Sequence, residues 1–232
     1  MSNQSAGRET RPVGPRTPRS PEARQRQRDI LHTATDTFAA RGYNNASLAE
    51  IADRAGLTQA GVLHYFRSKA LLLTSVLELR DQTDIEQLGP DRPRGLEFLR
   101  HLVDTALRNA EREGIVRLYT VLSAESVTDE HPAQAYFRDR YSGLRAFVTD
   151  ALREASGLPA DGTDGADGAD GTDGTDGVEH AANAIIAVMD GLQVQWLLDP
   201  GSVDMAASTD LVITSLLAAL APPGPGGPCT GR

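Results

Sequence analysis

The sequence predicts an all-α protein of about nine helices, with a three-helix head built on a helix-turn-helix and a larger helical body behind it. Three observations predict it. Apolar residues return every three or four positions in one segment after another, and no stretch shows the two-residue alternation of a strand. Serine, threonine and glycine stand where such segments begin and end. The stretch Ser47 to Phe66, SLAEIADRAGLTQAGVLHYF, holds a capped helix, a glycine turn and a second short helix in close succession.

Residues 1–20 carry Arg8, Arg11, Arg16 and Arg19 among prolines, serines and glycines. Such a stretch is too polar and too broken to pack, so a disordered basic arm is expected. The first helix opens on Ser20-Pro21-Glu22, a capping serine with proline at the first position and an acid in the first turn. Ile30, Leu31, Ala34, Phe38 and Ala39 give it one apolar stripe, and Gly42 closes it. Ser47 and Glu50 have the spacing of a capping box for the second helix. Leu48, Ile51, Ala52 and Ala55 form its inner face, with Ala52 small enough for a close crossing. Gly56 ends it in the left-handed conformation, Leu57 fills the corner, and Thr58 caps the third helix. Val62 and Leu63 point back at the second helix. Thr58, Gln59, Ala60 and Gly61 are left outward at the start of the third, as in a recognition helix that enters a major groove.

The charge distribution agrees with that reading. The chain is −9 overall, yet residues 1–80 hold 12 Lys+Arg against 7 Asp+Glu, and residues 81–232 hold 11 against 25. A basic front on an acidic body is expected when only one end neutralises phosphates, so double-stranded DNA is the expected partner. Gln59 offers a donor and an acceptor on one amide and is the expected base reader. Thr58 is expected either to cap its helix or to touch DNA. Gly61 costs about 1 kcal/mol inside a helix relative to alanine. It is there either to let a base edge or a sugar–phosphate backbone come close, or to pack on the preceding helix.

Ser68 caps a fourth helix dense in leucine, which joins the head to the body. Past a Gly-Pro loop, helices are expected over roughly 94–112, 115–127, 132–156, 178–198 and 203–220. Residues 159–177 repeat Ala/Thr-Asp-Gly and read as a mobile acidic insertion, without the proline of collagen or the converging ligands of a calcium loop. Tyr119, Tyr136, Phe137, Tyr141, Phe147 and Trp196 are candidates to line an effector pocket, or else they are core. Asp190, inside an apolar helix, needs a partner, and an arginine ion pair is expected. The helices at 178–198 and 203–220 are the most apolar and carry small Ala184 and Gly191. They are expected to build a homodimer, because one recognition helix reads too few base pairs to be selective. The domain plan is an arm at 1–20, a head at 21–68, a body at 69–221 with the insertion at 159–177, and a disordered tail at 222–232.

Other classes are disfavoured. Asp190, Gln193 and Gln195 interrupt the most apolar stretch and no apolar segment follows the N-terminal arginines. Neither a membrane span nor a secretory signal is therefore expected, and the protein is placed in the cytoplasm. One cysteine, Cys229, allows no disulfide or thiolate cluster. A phosphate-binding glycine loop, a nucleophile elbow and zinc spacing are all missing, so no enzyme, cofactor or metal is expected. His101 with Asp104, and Glu130 with His131, have no third ligand and are expected on solvated helix faces.

With Arg41-Gly42-Tyr43 ending the leading helix, the motif at Ser47 to Phe66, and Ser68-Lys69 opening the next helix, the stretch from about Glu22 to Leu79 resembles the tetracycline-repressor (TetR) family of transcriptional regulators. Beyond it the likeness is architectural. The resemblance implies a dimeric repressor that leaves a palindromic operator when a small-molecule effector enters the body. It also implies that Tyr43, Ser47, His64, Tyr65 and Lys69 touch phosphates, for which each has a donor. Many members have one more residue between the equivalents of Gly61 and Phe66, so the aromatic phosphate contact falls to either His64 or Tyr65. Control by a protein partner, or activation in place of repression, is the alternative.

Overall fold

The computed structural model describes residues 20–88, 92–158 and 174–221, and the described residues form nine α-helices and no strand. The arm at 1–19, the repeat at 159–173 and the tail at 222–232 lie outside them. In order the helices are α1 (Pro21–Asn45), α2 (Leu48–Arg54), α3 (Gln59–Tyr65), α4 (Lys69–Leu88), α5 (Gly95–Asn109), α6 (Glu113–Glu125), α7 (Gln134–Ser156), α8 (Gly174–Leu198) and α9 (Met205–Leu220).

Local chemistry sets the ends of the head helices. The hydroxyls of Ser20, Ser47, Thr58 and Ser68 accept from the backbone N–H of Ala23, Glu50, Gly61 and Leu71 at 3.0–3.2 Å, each satisfying an amide that has no partner within its helix. The capping box is only half made. Glu50 turns its carboxylate away from the Ser47 amide to take the Arg41 Nε at 2.8 Å, because a charged donor is the stronger partner. Gly56 closes α2 at φ +65°, and the Leu57 amide bonds back to the Ala52 carbonyl at 2.8 Å.

Packing joins head and body rather than dividing them. Phe38, Ile51, Val62 and Phe66 of the head share one buried cluster with Leu73 and Leu77 of α4 and with Leu118 and Leu122 of α6. α1 lies along α6, so the first helix of the head is held by the body. A second cluster, including Leu99, Leu152, Ile185 and Ile213, ties α5, α7, α8 and α9 together. In the third, Trp196 packs with Ala106, Val116 and Met205.

Several boundaries differ from expectation: α5 ends at Asn109, α6 spans Glu113–Glu125 and α9 starts at Met205, each shifted by two or three residues. α7 starts at Gln134 and not at Pro132, because residues 128–133 spend their backbone on turns. α8 begins at Gly174, four residues before Val178: once a helix is nucleated, each added residue gains a hydrogen bond. α8 also proves long and apolar enough to cross a membrane by length and composition alone, with a mean hydropathy of 1.3 over Gly177–Leu198, of which only 28% is buried within the chain. Val194 and Leu198 of α8 and Leu211 of α9 are left exposed.

Candidate functional site

The outer surface of the head begins at α3. Thr58, Gln59 and Ala60 are exposed, while Val62, one turn on, is fully buried and anchors the helix. Thr58 spends its hydroxyl oxygen on the Gly61 amide. A Cβ placed on Gly61 would come no nearer to another atom than 3.4 Å, at Thr58 Oγ1, and its φ is not left-handed. Packing against α2 therefore does not demand glycine there; the space that a side chain would fill lies toward solvent. His64 is exposed, and Tyr65 is half-buried against the head core with its ring edge-on to His64 at 5.4 Å.

Tyr43 and Lys69 stand together at the junction of α1 and α4. Ser47 is exposed at the start of α2. The Lys69 ammonium stands 4.3 Å from the centre of the Tyr43 ring and 3.4 Å from the Asn44 carbonyl. Burial pulls the Lys69 ammonium below its ordinary pKa, and nearby Glu125 pushes the other way. Burial also raises the Tyr43 phenol.

Beneath them is an anchor that sequence reasoning missed. Gly42 sits at φ +71° and breaks α1, which strips the following amides of helical acceptors. Glu125, in the last turn of α6, accepts from the Tyr43 amide at 2.5 Å and from the Asn44 amide at 3.4 Å. A carboxylate is a strong acceptor for such free amides. His131 flanks it, with Nε2 3.9 Å from Glu125 Oε2 and its ring edge-on to Tyr43 at 5.1 Å. Its Nδ1 accepts from the Ala133 amide at 3.2 Å, so the proton of the neutral ring is on Nε2. Burial lowers the pKa of His131, which is thus not the solvated residue expected.

Within the body, α4 to α8 enclose a cavity of about 440 Å³. Tyr119, Phe137 and Tyr141 line it; Tyr136 stands behind the lining, and Trp196 and Phe147 do not reach it. On the α4 side, Asp81 Oδ1 accepts from Tyr119 at 3.2 Å, Tyr136 at 2.8 Å and Arg140 Nη1 at 3.1 Å. The guanidiniums of Arg80 and Arg140 stack on Tyr119 at 4.2 and 4.8 Å. Burial raises the Tyr119 and Tyr136 phenols, so both remain protonated donors. At the α8 side Tyr141 donates to Asp190 Oδ2 at 2.7 Å, with its phenol pushed up to about 12 by burial and by that bond. Asp190 therefore has a tyrosine where an arginine was expected. Among the described residues no three His, Cys, Asp or Glu side chains stand together as metal ligands.

Both halves of the molecule have known counterparts. Residues 30–76 match the family model for bacterial regulatory proteins of the tetR family, and residues 96–221 match that for the C-terminal part of BetI-type transcriptional repressors. The chain belongs to the TetR family. It is a DNA-binding transcriptional regulator, and the family consists of regulators, not enzymes. The TetR-family relative TtgR, an HTH-type transcriptional regulator of Pseudomonas putida, is 26% identical over 201 residues, covering 82% of this chain and 88% of that one. Two solved TetR-like folds superpose over most of the chain. FadR from Bacillus subtilis, in complex with stearoyl-CoA, has a TM-score of 0.60 at 16% identity, covering 82% of this chain and 97% of that one. SmeT, repressor of the Stenotrophomonas maltophilia multidrug efflux pump SmeDEF, has 0.58 at 22%, covering 83% and 89%.

Gly42 and Gly61 are expected to respond in opposite directions to alanine. Gly42→Ala forces a side chain into left-handed backbone and against the Glu125 carboxylate, and should cost about 1–3 kcal/mol of stability. Gly61→Ala should instead stabilise the fold by up to about 1 kcal/mol. Urea unfolding of the two variants checks both signs.

Proposed function

We propose that the protein is a dimeric repressor that holds a palindromic operator through α3 and leaves it when a small molecule enters the cavity of the body. The observation that supports this most is the double duty of α6. Tyr119 and Ser123 of that helix face the cavity, while Glu125 in its last turn holds the amides of Tyr43 and Asn44 in the head. A ligand that displaces α6 displaces the anchor of the head with it. The two recognition helices of a dimer must sit about 34 Å apart to meet successive major grooves, so a small shift of each head disengages both.

In this reading residues 21–68 are the DNA-binding head, residues 69–221 the effector-binding and dimerisation body, and the protein acts in the cytoplasm. Gln59 reads a base edge, Thr58 serves as cap, and Gly61 leaves room for the duplex. Tyr43, Ser47, His64, Tyr65 and Lys69 meet phosphates. The stearoyl-CoA held by FadR supports a small-molecule effector of the body. Dimerisation through α8 and α9 is supported by Leu198 and Leu211, large apolar residues left in solvent by the single chain, and by the open space beside Gly191, where a second backbone can approach.

Gln59→Ala is expected to lose roughly 1–3 kcal/mol on the selected operator and little on random DNA. Lys69→Ala should weaken both and reduce the salt slope by about one. Fluorescence anisotropy over a salt series measures the two effects, and an undiminished operator preference in Gln59→Ala removes it as the base reader. Leu211→Glu places a charge in the α8/α9 face and should give a folded monomer with little operator affinity. Sedimentation velocity decides this, and a variant that stays dimeric moves the interface elsewhere.

A further inference from the structure

The cavity walls are mostly apolar, with Leu102, Val116, Phe137, Leu144 and Ile186 among them. Two acceptors stand in this setting with less than they can bind. Asp190 receives one hydrogen bond, from Tyr141, and forms no ion pair among the described residues. Asn109 is buried, and its Oδ1 has no donor. A carboxylate drawn into apolar surroundings is destabilised unless a cation or further donors reach it. Burial accordingly lifts the Asp190 carboxyl above its usual range, only partly offset by Tyr141 and Arg140. The arginine that could have neutralised it, Arg140, is committed to Asp81 at 3.1 Å. What both acceptors lack is N–H donors, and what Asp190 lacks besides is a cation in direct contact. An ammonium group brings three donors, one charge and no acceptor of its own. A carboxylate-bearing guest would meet Asp190 as a like charge, while the two guanidiniums of the lining, Arg80 and Arg140, lie against the Tyr119 ring, Arg140 paired with Asp81 as well.

We propose that the effector is a protonated amine carried on an apolar body, with Asp190 as its counter-ion and Asn109 as a second acceptor. This rests on the reading of the body as an effector site. The cavity volume is within the range of small-molecule pockets, which runs from roughly 300 to 1,000 Å³.

The test is calorimetric titration of the full-length protein with three guests that share one apolar part: 4-phenylbutylammonium, 4-phenylbutanol and 4-phenylbutyrate. The ammonium should bind tightest. Asp190→Asn should cut its affinity about tenfold or more while leaving the alcohol within about twofold, and Asp190→Glu should keep the preference. Asp190→Asn should also unfold no earlier on heating at pH 7 than the parent, since a carboxyl whose pKa is raised on folding costs stability above that pKa. Phenylbutyrate binding as tightly as the ammonium, or an ammonium preference that survives Asp190→Asn, overturns the assignment. If the alcohol still binds in either case, the effector reading stands without it. No binding by any of the three overturns both.

Discussion

The carboxylate of Glu125 is the interaction on which the geometry of the head depends. α1 is broken by left-handed Gly42, and the two amides that follow would be bare if the last turn of α6 did not present two oxygens to them. Their satisfaction by one side chain from more than eighty residues away fixes Tyr43. Its ring is in turn bounded by His131 at its edge and the Lys69 ammonium at its face. Gly42 itself is required twice over, by its backbone angle and by the absence of room for a Cβ beside Glu125. The outer surface of the head is therefore positioned by the body, and the shared core of Phe38, Leu118 and Leu122 keeps head and body from moving independently.

What was legible in the sequence follows from range. Each head helix is started by a hydroxyl that bonds an amide three residues on and is ended by a glycine or a sharp turn, and such signals lie within one turn of the chain. The family motif sits in the same local stretch. The body was legible as helices but not as a site. Asp81 draws on Tyr119, Tyr136 and Arg140, 38 to 59 residues away, and nothing in periodicity distinguishes an aromatic that lines a cavity from one that fills a core. Trp196 illustrates the point: it lies on the same helix as Asp190, yet it packs with Met205 and Val116. Glu125 and Glu50 carried no local mark of which would hold the head and which would turn to Arg41. The outcome depends on which charged or bare donor each reaches in three dimensions.

α8 combines demands that are usually separate. Its composition alone is that of a membrane-crossing segment. In the fold one side contributes Ile186, Met189 and Asp190 to the cavity, and Ile185 faces the core. Val194, one turn beyond Asp190, also lines the cavity and is partly open to solvent, and Leu198 at the helix end is exposed. The high hydropathy of α8 thus reflects a helix shared between cavity and core, with Glu179, His180, Asn183 and Gln195 as its exposed polar residues. Asp190 is then the exception on the cavity side of that helix, an ionisable group retained where an alanine or leucine would pack more cheaply.

Lys69 is the single lysine of the chain, among 23 Lys+Arg. Its amine is half-buried at the base of α4, with its basicity lowered by that burial, against Tyr43 and within reach of the Asn44 carbonyl. All the others in that count are guanidiniums, which resist acylation. Chemistry directed at side-chain amines therefore has one address in this molecule, and that address lies at the start of α4 against Tyr43, outside the lining of the cavity.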